Sequence, residues 1–233
     1  MEAESTAQPN ASAAEMPEVA AAVLDWLSQY RDENGEIGVT ETMAPQARAA
    51  RAVTELGAPW VINIVTGTIA GFAVGAPRWG LFVAAITGGI PMIIILAGVR
   101  RGIASDHHVT DIDGRRWVIP AILGIVGVGL IVEIVQGAPR ALIAWTVAGL
   151  VVLFGIGIVT VIGKWKVSVH TAVSAGTTVL LALIASPWFL AALPLTVVNG
   201  WSRVWLGDHT RGQVVVGSFV GAALAAAAYL LAS

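Results

Sequence analysis

From Gly57 onward the chain alternates long apolar runs with short polar breaks. The runs 57–76, 79–99, 117–136, 141–163, 168–186 and 212–232 each approach the roughly 20 residues that a helix needs to cross a bilayer. A seventh stretch, 187–201, is shorter and contains Pro194, so it reads as a thin or broken span, or as the return half of a hairpin. The pattern predicts an all-α, polytopic membrane bundle of six or seven transmembrane helices over residues 57–233. Residues 1–56 read differently, as an acidic tail that holds ten of the fifteen Asp and Glu residues. Within the tail, Val19, Val23, Trp26 and Leu27 fall at helical spacing and predict a short amphipathic helix. No apolar run follows a basic start, so the tail is expected to be a flexible cytoplasmic segment rather than a signal peptide.

Composition sharpens this picture. With 56% hydrophobic and 12% charged residues, a net charge of −2 and a mean hydropathy of +0.78, the chain is too apolar and too nearly neutral to be disordered or to bind nucleic acid. The absence of cysteine excludes disulfides, iron–sulfur clusters and a thiol nucleophile. Eight tryptophans (Trp60, Trp79, Trp117, Trp145, Trp165, Trp188, Trp201 and Trp205) fall near predicted helix ends, as interfacial belts require. Gly67, Gly71 and Gly75, and again Gly217 and Gly221, repeat at four-residue spacing and give faces on which helices approach closely, within the chain or in a homo-oligomer.

The polar residues are not spread evenly. If all seven stretches cross, the tail and the loops near 100–116, 164–168 and 202–211 share one side of the membrane. That side then holds all four histidines (His107, His108, His170 and His209) and every Lys and Arg except Arg78 and Arg140. The Lys and Arg bias marks this side as cytoplasmic and the protein as a multi-pass component of the cell membrane. A polar cluster set into one end of an apolar bundle is a site by default. Glu133, the one acidic residue inside a predicted span, lies near its end and is expected to reach the interface. Asn63 and Thr66 are expected to bond across helices, and Lys164 and Lys166 to anchor at the interface.

Two strings carry chemistry. Ser202-Arg203 is followed after five residues by His209, just before the last apolar run, and Ser168-Val169-His170 opens another. A histidine at a helix start lies beside backbone N–H groups that favour an anion, and arginine offers a planar fork to phosphate. Two histidines, one attacking and one donating a proton, suit phosphoester hydrolysis through a phosphohistidine.

These strings resemble the signature of the type-2 phosphatidate phosphatase (lipid phosphate phosphatase) superfamily, which reads Lys-x6-Arg-Pro, Pro-Ser-Gly-His and Ser-Arg-x5-His-x3-Asp. The third part is matched at Ser202, Arg203 and His209, and the second at Ser168 and His170, with Val167 and Val169 in place of Pro and Gly. The resemblance spans roughly residues 57–232. It implies that His209 is the nucleophile, that His170 protonates the leaving oxygen, and that Arg203 and Ser168 hold the phosphate. It also implies a metal-independent enzyme without a cofactor, whose substrate is a lipid phosphate or diphosphate such as a polyprenyl (di)phosphate or phosphatidate. Arg115, in the polar loop where the family places its first part, is the best further phosphate ligand, with His108 and Asp106 behind it.

Gln213 stands where the family has the Asp that orients the nucleophile. Asp208 or a carboxylate of the 106–113 loop would be a substitute. The Gln also keeps open an inactive relative that binds lipid phosphates. The Asp and His residues of loop 105–113 admit a metal-dependent hydrolase, although no fixed-spacing metal motif is present, and a transporter is disfavoured by the scarcity of charge within the spans.

Overall fold

Prolines open several of the helices, at Pro45, Pro59, Pro77 and Pro194, because the first turn needs no N–H from its leading residues. The computed structural model describes residues 45–103, 107–109 and 112–233, and among these every regular element is helical. Helix α1 is Pro45–Leu56 and α2 is Pro59–Ala73, with a bend of 47° between them. A long α3, Pro77–Arg100, follows, then α4, Ile112–Val135, and α5, Arg140–Ile162. Helix α6 is Val169–Ile184. A 3₁₀ segment, Pro187–Ala192, leads into α7, Leu193–Trp205, and α8 is Arg211–Ala232. By contact the chain divides into residues 1–48 and residues 49–233, and the second unit carries the features below. The amphipathic helix expected near Val19 lies outside the described residues.

The bundle is built as the apolar runs foretell, but among the described residues fewer helices than the expected six or seven are long and apolar enough to count as spans. Four helices are long and apolar enough to cross a bilayer: Pro77–Arg100, Gly114–Val135, Arg140–Ile162 and Arg211–Ala232, with the bent α1–α2 pair a fifth if it acts as one span. Helix α6 has 16 residues, and the expected seventh stretch is the 3₁₀ segment plus the first part of the 13-residue α7. At 1.5 Å per residue α7 reaches only about 20 Å, short of a hydrocarbon core. Residues 45–56, expected at the end of the tail, form α1, and its Thr54 is buried.

The core lies between α5, α6 and α8, with Leu142, Trp145, Val152 and Ile156 of α5 against Ala172, Leu180 and Leu181 of α6 and Ala225 and Tyr229 of α8. The small-residue faces are spent inside the chain: Gly71 of α2 meets Gly80 of α3, and Gly217 and Gly221 of α8 meet Ser168 and Ala172 at the start of α6. Outward positions stay apolar, with Ile131, Ile134 and Val135 of α4 and Phe219 and Leu231 of α8 exposed, as a lipid-facing surface requires. Trp117, Trp188 and Trp205 join that surface, whereas Trp145 turns inward and is buried.

Three polar residues in the bundle, Asn63, Thr66 and Glu133, show how local rules are met. Pro91 has no N–H for the carbonyl of Thr87, four residues back. Helix α3 widens there into a π turn, Ala85–Gly89, and Asn63 Nδ2 donates to Thr87 O at 2.9 Å. Thr66, by contrast, bonds to Ile62 O of its own helix and not across the interface. Glu133, expected to reach outward at the end of its span, is instead fully buried and accepts from Thr146 Oγ1 of α5 at 2.9 Å.

Candidate active site

Three helix ends meet at the polar end of the bundle, and each is built by a local rule. Helix α6 begins with Ser168 as its N-cap, whose side chain accepts from Thr171 N at 3.5 Å. Helix α7 ends in a Schellman motif: Gly207 N donates to Val204 O, Asp208 N to Arg203 O, and Gly207 takes the left-handed φ of +77° that the motif needs. This turn reverses the chain, and His209 N also bonds to Arg203 O. Helix α8 then starts with a capping box in which Gln213 N donates to Thr210 Oγ1 and Thr210 N to Gln213 Oε1. The starts of α6 and α8 are fastened together by Ser168 N to Gln213 O and by Thr171 Oγ1 to Val214 O.

His209 sits at the centre. Its Nδ1 is 3.1 Å from Gln213 Oε1 and 3.2 Å from Lys166 O, two acceptors that assign the proton to Nδ1 and the lone pair to Nε2. Burial and, after it, the nearby charges of Arg115 and Arg203 push this imidazole down to about 3, against the opposing pull of Gln213, so His209 is neutral near pH 7. Asp208 does not take the orienting role. Its carboxylate pairs with Arg203 Nη2 at 3.1 Å, and the amide of Gln213 stands where the family has its Asp.

Arg203 is 1% exposed. Arg115, 3% exposed, is fixed by two carbonyls: Nε donates to Val109 O at 2.9 Å and Nη1 to Val167 O at 2.8 Å. Val109 has φ +49°, a strained conformation for a β-branched residue, and that strain aims its carbonyl at the guanidinium. His170, in the first turn of α6, lies within electrostatic reach of Arg203, Arg115 and His209, and its ring centroid is 5.1 Å from that of His108. Among the described residues, Nε2 of His170 and Nε2 of His209 are buried without a hydrogen-bond partner. Burial lowers His108 as well, against its contact with Glu55.

The structure thus gathers His209, His170, Arg203, Arg115 and Ser168 at one end of the bundle, with Ser168 engaged as a cap. Asp106 and Asp111 lie outside the described residues. Ser202, matched in the motif, is buried behind the site, donating to Asn199 O and accepting from Thr54 of α1. The Thr210–Gln213 box was readable in the sequence as Thr-x-x-Gln. Glu55, which meets His107 and His108, gave no such signal within the expected tail.

A cavity of about 160 Å³ reaches this cluster at His170 and Arg115, without being lined by His209 or Arg203, and extends into the bundle. His107, His108, Arg115 and His170 line its polar end, and Ile95, Ile119, Trp145 and Leu180 are among the apolar side chains beyond.

A frame of apolar helices with two histidines and two fixed arginines at one end defines a membrane-embedded candidate for phosphate-ester chemistry. Residues 150–233, which carry both histidine strings, match the family model of the PAP2 superfamily, the same superfamily that the motifs resemble. The match points to a phosphatase acting on phosphate esters. No curated protein and no solved structure shows a significant match to the chain.

Proposed function

We propose that this protein hydrolyses a lipid phosphate or diphosphate, a polyprenyl (di)phosphate or phosphatidate, through a phosphohistidine intermediate and without a metal in the reaction. One observation carries the reading: the buried Nε2 atoms of His170 and His209, without a hydrogen-bond partner among the described residues, lie within electrostatic reach of Arg115 and Arg203, and His170 and Arg115 line the polar end of a largely apolar cavity. The phosphate head docks on Arg115 and Arg203, with Ser168 at the start of α6, and the lipid chain follows the cavity. The negative head offsets the arginine charges and so favours a proton on His170. The lone pair of His209 Nε2 attacks phosphorus, the ester P–O bond breaks, and the proton of His170 passes to the leaving oxygen. His170, now neutral, takes a proton from water. The resulting hydroxide attacks phosphorus, the P–N bond breaks, and phosphate leaves. Gln213 holds Nδ1–H throughout, and the arginines stabilise the transferring group. That contact also argues for turnover and against the inactive, lipid-binding alternative. The Lys and Arg bias supports a site at the cytoplasmic face of the cell membrane.

The test is phosphate release by the detergent-purified chain from phosphatidate, polyprenyl phosphate and polyprenyl diphosphate in EDTA. Turnover of at least one is expected, and His209→Ala should remove it while leaving the thermal melt intact. Undiminished release by that variant would overturn the mechanism. Loss of activity in EDTA that zinc or manganese restores, and that persists in Glu55→Gln, would assign the chemistry to a metal.

A further inference from the structure

Beside the proposed phosphatase residues, and outside the segment matched to the PAP2 superfamily, lies a second cluster. Glu55 near the end of α1 meets His107 and His108 from the segment before α4. Its Oε1 is 3.2 Å from His107 Nε2 and 3.1 Å from His108 Nε2, and its Oε2 is 3.4 Å from His107 Nε2. The two imidazole rings lie 4.0 Å apart, centre to centre. His107 and His108 lie in a turn, and both reach the same carboxylate.

We propose that Glu55, His107 and His108 form a binding site for one divalent transition-metal ion, zinc foremost. Two imidazoles and a carboxylate are a zinc donor set, with the fourth position left to water or another oxygen donor. The spacing agrees. Zinc bonds of about 2.0–2.1 Å in tetrahedral geometry separate two ligand atoms by about 3.3–3.4 Å. The carboxylate-to-imidazole separations run from 3.1 to 3.4 Å, and one ligand atom from each residue can be chosen so that all three lie within 4.8 Å of one another. Access is graded as well: the histidine side chains are 8% and 13% exposed and that of Glu55 is 38% exposed, so the ion approaches from the carboxylate side. The bound ion ties α1 to the loop and holds His108 beside His170, while the phosphoryl-transfer steps proceed on His209 and His170. This site does not depend on the phosphatase reading.

The experiment strips the full chain, purified without a histidine tag, with a chelator, equilibrates it with zinc ions, removes the excess and counts bound metal by mass spectrometry. One zinc per chain is expected for the wild type and for His209→Ala, with a zinc-dependent rise in melting temperature. Glu55→Gln keeps hydrogen-bonding capacity toward the histidines but loses the charge, and His107→Asn removes one imidazole; both should lose the metal and the shift. Wild-type protein that keeps no zinc, or variants that keep as much as the wild type, would overturn the proposal and leave an ordinary Glu–His hydrogen-bonded cluster. Zinc retained while His209→Ala stays active would instead sink only the phosphatase mechanism.

Discussion

The two walls of the candidate site are made by different physics. The wall from α6, α7 and α8 is an assembly of helix ends: the Ser168 cap, the Schellman turn at Gly207 and the Thr210–Gln213 box each satisfy backbone groups within a few residues. The facing wall, with Glu55, His107, His108, Val109 and Arg115, is held by contacts between residues far apart in sequence and by one strained backbone angle. The first wall lies inside the segment that matches the PAP2 superfamily and the second lies outside it. A helix end can carry a motif because its geometry is set by residues at fixed spacing. A side chain positioned across the fold has no fixed spacing to carry.

Substitutions can break this comparison from either side. The largest effect is expected in the helix-end wall, where His170→Asn should lower turnover roughly a hundred- to ten-thousand-fold, the range of general acid–base catalysis, with the melt preserved. Single-turnover phosphate release checks it, and a loss of only a few-fold would move the proton donor elsewhere. In the facing wall, Arg115→Lys keeps the charge but gives up the fork that spans Val109 O and Val167 O. At about 1.5–3 kcal/mol for a charged hydrogen bond, kcat/KM should fall about ten- to a hundredfold. An unchanged value would make Arg115 purely structural.

The smallest change is expected at the join. The folded His209 value of about 3 lies below the ordinary 6.5, so the free enzyme keeps its nucleophile neutral far into acid, and the limb of kcat/KM set by this group lies well below pH 6.5. Between those values the unfolded chain takes up a proton that the folded chain refuses, so stability falls as the pH drops through that window. Gln213→Glu sets a carboxylate near Nδ1. It should move the acid limb toward neutral pH and raise turnover about a few-fold. A pH profile of both proteins reads the two effects together.

Much of the fold was legible because lipid demands apolar length, and the runs beginning near 79, 117, 141 and 212 are each seen as long helices. The span count was not, because apolar length does not reveal a bend. The runs at 57–76, 168–186 and 187–201 give a bent pair, a 16-residue helix and a 3₁₀ segment leading into α7. Within the site, His170, Arg203 and His209 were readable from spacing, and Arg115 from its place in a polar loop. Glu55 was hidden because its partner histidines are 52 and 53 residues away. Glu133 misled because nearness to a span end says nothing about which neighbour, here Thr146, waits on the next helix.

Gln213 Oε1 receives both the N–H of Thr210 and Nδ1–H of His209. The contact that starts α8 therefore also helps, together with Lys166 O, to hold the His209 proton on Nδ1. Helix ends breathe, and each time the first turn of α8 opened, the imidazole would lose its side-chain acceptor and keep only Lys166 O, which weakens the bias that leaves Nε2 unprotonated. On the proposed mechanism, the working rate would be an average weighted by the fraction of time this turn is closed. The bonds from Ser168 and Thr171 to the carbonyls of Gln213 and Val214 clamp that turn to α6, and on the proposed mechanism they would set a duty cycle for catalysis.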